Sequence, residues 1–139
     1  GVDISSSALE VARINARHLR LEPQYILSDR LSQVQEKFDL IISNPPYIKP
    51  TAHAAGVHSQ VDQHEPQQAL YIPDAQYVIW FQEFFQQVKD HLLPQGLFLM
   101  EGHEEEVEKQ AAQLKSLGFS AIKVLPDWSG RNRFLEARL

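Results

Sequence analysis

The chain has no cysteine among its 139 residues. That excludes a disulfide framework and any thiolate metal site. No apolar run approaches the ~20 residues that a bilayer-spanning helix requires. The opening residues show no charged stretch leading into an apolar one, so they carry no signal-peptide pattern. Positive charge is scarce: 13 Lys and Arg face 18 Asp and Glu, for a formal charge of −5. Broad binding to a phosphate backbone needs clustered Lys and Arg, and this balance argues against it.

What is present is an ordinary globular composition. Hydrophobic residues make up 43% of the chain, enough for one domain with a core. The organising stretch runs from Phe38 to Tyr47. Leu40, Ile41 and Ile42 form a continuous apolar run, which predicts a central parallel strand covered on both faces. Pro45 and Pro46 then forbid ladder hydrogen bonds and end the strand. Pro45 also biases Asn44 toward an extended conformation. A carboxamide and bare carbonyls are thereby expected at the C-terminal edge of a sheet, where open α/β sheets bind ligands.

The chemistry of that corner is narrow. Asn44 offers a side-chain oxygen acceptor, and Pro45 a carbonyl with no donor of its own. Tyr47 offers an aromatic face that can hold a planar group and favours a nearby cation. Two acceptors and a ring suit recognition of an NH2 group on a planar carbon. The corner contains no titratable pair, so acid/base hydrolysis is not supported. The simplest competing reading is a plain Asn-Pro turn; the preceding strand and two acidic strand ends upstream favour a functional one.

Asn44-Pro45-Pro46-Tyr47 resembles the signature of class I S-adenosylmethionine-dependent methyltransferases that modify NH2 groups. The wider pattern resembles the HemK/PrmC family, protein-(glutamine-N5) methyltransferases acting on peptide chain release factors. It comprises Gly1-Val2-Asp3-Ile4-Ser5, Ser28-Asp29, Asn44 to Ile48, His64-Glu65-Pro66 with Ala69-Leu70, and Gly130-Arg131-Asn132-Arg133. DNA- and RNA-modifying relatives share the tetrapeptide; the His-Glu-Pro segment points to the glutamine methylases. The resemblance covers essentially the whole chain, but only the C-terminal part of the family's catalytic domain. The Gly-rich cofactor loop and the N-terminal helical domain are expected to precede Gly1 in a longer protein. The chain alone is then expected to bind S-adenosylmethionine weakly or not at all, and to be inactive.

The resemblance implies an α/β, Rossmann-like fold: a mostly parallel sheet with a C-terminal antiparallel hairpin, lacking its N-terminal βα unit. It implies S-adenosylmethionine as cofactor and a release factor as partner, with no nucleic acid, membrane or metal, in the cytoplasm. Asp3, beside Ile4, would hold the ribose. Asp29 would receive the adenine amino group, with Arg30 where the family often has an aromatic residue; its guanidinium could stack on the ring, or Leu31 could replace it. Asn44 would sit at the junction of cofactor and acceptor. Asn44, Pro45, Pro46 and Tyr47 would hold the glutamine amide. The alternatives are a nucleic-acid adenine or cytosine amino methyltransferase, flipping a base against Tyr47, and a non-catalytic scaffold.

The remaining chain follows from periodicity. Ser7 and Glu10 have capping-box spacing for a helix to Leu19, with Leu9, Ala12, Ala16 and Leu19 on one face. Residues 48–73 read as a long irregular flap. Its His53, His58 and His64 match no zinc spacing, so a metal reading is rejected. Asp74 is expected to cap a helix over 75–92, with Tyr77, Trp80, Phe81, Phe84 and Val88 as core. Leu97 to Met100 reads as a strand ending at Glu101, whose role stays open between ligand and backbone contact. Glu104, Glu105, Glu106 and Glu108 complement a helix dipole. Val107, Ala111, Leu114 and Leu117 form that helix's buried stripe, Gly118 stops it, and residues 121–125 and 133–138 form the final hairpin.

Overall fold

The computed structural model describes residues 1–53 and 56–139. They form two compact units, Gly1–Lys37 and Phe38–Leu139.

The first unit is a βαβ crossover. Strand β1 (Val2–Asp3) leads through helix α1 (Ser6–His18) to strand β2 (Ile26–Leu27). The strands pair in parallel, Val2 with Ile26 and Asp3 with Leu27. Parallel neighbours need such a crossover. The helix cap is Ser5 rather than Ser7: its hydroxyl accepts the Ala8 N–H at 3.2 Å, satisfying one of the free donors of the first turn. Leu9 and Ala16 are buried as expected. Leu19 is exposed instead, because it is the C-cap residue and Arg20 turns away at φ 57°. Tyr25 ties β2 to α1: its hydroxyl donates to the Ala12 carbonyl at 3.2 Å, and Arg13 lies over its ring.

The second unit contains strand β3 (Phe38–Ser43), short helices α2 (Ser59–His64) and α3 (Gln67–Leu70), helix α4 (Tyr77–His91), strand β4 (Leu92–Glu101), helix α5 (Val107–Ser116), and strands β5 (Ser120–Pro126) and β6 (Asn132–Arg138). Its sheet has the order β3-β4-β6-β5. β3 and β4 run parallel; β6 is antiparallel to both β4 and β5. The expected C-terminal hairpin is therefore present. One face of the sheet presents Ile41, Phe98, Met100, Leu135 and Ala137, all buried. Phe84 and Phe85 of α4 meet Phe98 edge-on at 5.9 and 6.0 Å between ring centres, a favoured aromatic geometry.

Three expectations are corrected. β3 is not covered on both faces within its unit. It forms the edge of the four-stranded sheet, and on its second face Leu40 is 45% and Ile42 69% exposed. A uniform apolar run reports the strand's composition, not how many neighbours cover it. Asp74 does not cap α4, which begins at Tyr77 behind Gln76; its carboxylate instead accepts the Thr51 N–H at 3.0 Å. Residues 94–96 are not a turn between elements but an irregularity inside β4. A Cβ on Gly96 would lie 2.8 Å from the Leu93 carbonyl, so only glycine fits that kink.

The described residues of the 48–73 segment form more regular structure than their proline content suggests. Ile48 and Tyr71 form a parallel bridge, with Ile48 N donating to Leu70 O and Ile72 N to Ile48 O, both at 3.0 Å. Both ends are thus pinned, and α2 and α3 lie between them. Among the described residues, no helix is long and apolar enough to cross a membrane.

Candidate functional site

The second unit contains the corner. Asn44 directly follows the last residue of β3. Asn44 is exposed, whereas Pro45 after it is buried. Two prolines in succession leave no N–H to continue the ladder, so the chain must leave the sheet here.

Tyr47 is fastened at two points. Its hydroxyl donates to Glu101 Oε1 at 2.8 Å, at the end of the neighbouring parallel strand. Its backbone carbonyl accepts the Tyr77 hydroxyl at 3.1 Å. Burial, and then the hydrogen bond to Glu101, push the Tyr47 hydroxyl up to about 12. Tyr47 therefore stays a neutral donor throughout the physiological range and presents an uncharged ring. Glu101, whose role the sequence leaves open, is the acceptor that holds that ring.

A second layer supports the first. Gln110 of α5 is buried, and its Nε2 donates to the Tyr77 hydroxyl oxygen at 3.3 Å. Burial raises the Tyr77 pKa further than that of Tyr47, so this hydroxyl too remains a donor. Gln110 Oε1 is buried with no hydrogen-bond partner. It lies 2.8 Å from where a Cβ on Gly102 would be. The missing side chain of Gly102 makes room for the amide.

Lys49 anchors the far side of the corner. Its ammonium lies 4.5 Å from the Tyr77 ring centre and 2.8 Å from Glu106 Oε1. Lys109 reaches the same oxygen at 2.8 Å. Burial works to raise the Glu106 pKa, but hydrogen bonds from Lys109 and Lys49 outweigh it and hold the carboxyl below its usual range. Part of the acidic run is therefore an internal ion pair rather than a solvated helix start.

His53 stacks on His103, with ring centres 3.7 Å apart and planes 3° from parallel. Ligand atoms of His53, His103 and Glu105 fall within 4.8 Å of one another. His53 Nδ1 accepts the Lys49 N–H and His103 Nδ1 accepts the Glu105 N–H, which leaves the proton of each neutral ring on Nε2. Burial lowers both histidine pKa values; the charge of Lys49 adds to this at His53, and His53 itself at His103.

The first unit places the acidic strand ends. Asp3 ends β1, and Asp29 follows β2 by two residues, so both lie at the C-terminal end of one parallel pair. Asp3 is exposed, and its Oδ1 accepts the Ser5 N–H at 2.8 Å. Ile4 beside it is also exposed. Arg30, at φ 53°, folds back on its neighbour: Nε and Nη2 bind the two Asp29 oxygens at 3.2 and 3.1 Å. Its edge is thus committed to Asp29, while Leu31 is buried.

Sequence reasoning missed Tyr77, Gln110 and Lys49 as supports. One signal was available. Tyr77 heads a stripe otherwise made of Trp, Phe and Val, and Gln110 interrupts an apolar stripe; a polar group at a buried position requires a partner.

Comparison with known proteins bears on the whole chain. Residues 1–67 match the methyltransferase small domain family. The chain is 35% identical over 136 residues to the release factor glutamine methyltransferase of Deinococcus radiodurans, covering 98% of this chain and 48% of that protein. It is 37% identical over 141 residues to the protein of the same name from Cereibacter sphaeroides, covering 99% and 49%. The chain thus spans about half the length of these relatives. A solved methyltransferase from Pyrococcus furiosus superposes with a TM-score of 0.67 at 18% identity, covering 99% of this chain and 60% of that one; at that identity the likeness shows the fold. The sheet and the sequence similarity agree: over nearly its whole length the chain is similar to part of release factor glutamine methyltransferases, and its fold is that of a class I methyltransferase.

Proposed function

We propose that the whole protein transfers a methyl group from S-adenosylmethionine to the side-chain amide nitrogen of a glutamine in a peptide chain release factor. The observation that carries this reading is Asn44, exposed at the exit of β3, beside a tyrosine fastened at both its hydroxyl and its carbonyl.

An amide nitrogen is a weak nucleophile because its lone pair is delocalised. The corner acts on that weakness by position. The Asn44 side-chain oxygen and the Pro45 carbonyl accept the two amide hydrogens and fix the nitrogen's orientation. Pro46 keeps the backbone from relaxing, and the Tyr47 ring supports the planar amide. Holding reacting groups in alignment can supply much of a barrier's reduction. No residue of the corner acts as a general base; the proton leaves to water after transfer.

The cofactor, when bound, supplies an electrophilic methyl group on a sulfonium. The acidic strand ends suit it chemically, being acceptors matched to ribose hydroxyls and an exocyclic amine. Asp3 has one oxygen engaged by Ser5 and takes the ribose hydroxyls, with Ile4 alongside. Asp29 takes the adenine amino group, and the Arg30 guanidinium holds its carboxylate in place. The proposed compartment is the cytoplasm and the proposed partner a protein, not a nucleic acid.

The test offers the whole protein labelled S-adenosylmethionine and two acceptors, a bacterial release factor and a single-stranded oligonucleotide. Methyl incorporation mapped to one glutamine by mass spectrometry supports the assignment. Label on the oligonucleotide alone overturns it.

A further inference from the structure

Trp128 is fully exposed, yet the turn that carries it is tightly built. The Asp127 N–H donates to the Arg131 carbonyl at 2.8 Å, and the Gly130 N–H to the Asp127 carbonyl at 3.0 Å. Asp127 Oδ1 accepts three more hydrogen bonds, from Ser129 N, Ser129 Oγ and Arg131 N, at 2.8, 2.7 and 3.0 Å. Gly130 supplies the left-handed residue, at φ 85°. Hydrogen bonds from Ser129 and then Arg131 hold the Asp127 carboxyl below its usual range. A large apolar ring is thus presented to water on a rigid support. Rigid aromatics of this kind lose little entropy on docking and dominate many protein interfaces.

The position of the turn connects it to the corner. Strand register sets Phe134 opposite Glu101 and Ser43 opposite Met100. The turn before β6 and the Asn44 corner after β3 therefore emerge from the same end of one sheet, on either side of β4. Arg133 joins them. Its Nε lies 3.4 Å from Asp127 Oδ2, and its charge acts on the Tyr47 hydroxyl. At the base of the turn, Leu125 and Phe134 are cross-strand partners, and both are exposed.

Charge selects the kind of partner. Glu101, Glu104, Glu105 and Asp127 crowd this end of the sheet. Arg131 and Arg133 are each already paired, at 3.5 Å with Glu104 and 3.4 Å with Asp127. A phosphate backbone finds no clustered cation here. A polypeptide surface with an apolar anchor point does find a partner.

We propose that Trp128, on its Asp127-braced turn, is a docking anchor for the protein acceptor, gripping the polypeptide that flanks the glutamine. This role rests on the amide-methylation reading above. It would set affinity for the folded substrate and leave the chemical step to the corner.

The experiment compares the whole protein with its Trp128→Ala and Trp128→Phe variants, using a release factor as acceptor. Trp128→Ala leaves no cavity, and an unchanged melting transition confirms folding. The expected result is a rise in KM for the release factor of about tenfold or more, with kcat and S-adenosylmethionine affinity little changed. Trp128→Phe should recover most of the loss. Equal KM values for Trp128→Ala and the parent overturn the docking role and leave the methylation reading intact. A parent that transfers no methyl to the release factor overturns both.

Discussion

The Tyr47 hydroxyl donates to Glu101 across 2.8 Å, joining the corner after β3 to the end of β4, 54 residues later in the chain. The bond turns a flexible aromatic into a fixed wall of the corner. It also explains why an acidic residue ends β4 without needing a catalytic duty.

Removing Glu101 should show this. Glu101→Ala leaves the Tyr47 hydroxyl without its acceptor and frees the ring. It is expected to lower kcat for methyl transfer by about 10- to 100-fold. Glu101→Gln should stay within about fivefold of the parent, because an amide oxygen still accepts the hydroxyl proton. Single-turnover kinetics on the whole protein make the comparison.

Gly102→Ala should impair the same step from further away. The new Cβ would displace the Gln110 amide, which holds Tyr77, which holds the Tyr47 carbonyl. The expected outcome is a fall in kcat of about tenfold, as small misplacements remote from chemistry produce. Gln110→Ala in the Gly102→Ala background should add little, because both act through one contact. A full additional loss from the second substitution would contradict the relay.

Lys49→Met tests the internal ion pair. Glu106 would lose one of its two ammonium partners while remaining buried. A stability loss of about 2 kcal/mol is expected, less than for a fully orphaned charge because Lys109 remains. Denaturant unfolding of parent and variant measures it.

The His53–His103 stack predicts a pH dependence. Both folded-state pKa values lie below the ordinary histidine value. The unfolded chain therefore binds more protons than the folded one just below about pH 6.5. This contribution to stability is complete above that pH and is lost as pH falls through the lowered folded values. Glu106 acts in a separate window: its depressed carboxyl pKa keeps its contribution until the pH is well below the histidine range. Thermal melts from about pH 7.5 down to 5.5 should show the decline. His103→Asn should lessen it, since asparagine can still accept the Glu105 N–H but does not titrate, while His53 keeps its own share.

Much of this arrangement was legible in the sequence because local rules decided it. Two consecutive prolines after an apolar run can only end a strand, so Asn44 had to stand at a sheet edge. Helix α5, its stop at Gly118 and the final hairpin followed from periodicity and turn chemistry. The failures were non-local. Whether β3 has one covered face or two depends on its neighbours, not on Leu40 and Ile42 themselves. The start of α4 moved because Asp74 is used by Thr51, 23 residues earlier. Tyr77 looked like core because it is core; only its hydroxyl, aimed at the Tyr47 carbonyl, gives it a second duty.

The bridge between Ile48 and Tyr71 has a consequence for how relatives can diverge. It closes the intervening chain into a ring hung from two fixed posts, one just past Tyr47 and one just before Asp74. Lengthening such a ring costs only slowly growing closure entropy. Insertions and deletions within it should therefore leave both posts, and the tetrapeptide beside the first of them, where they stand.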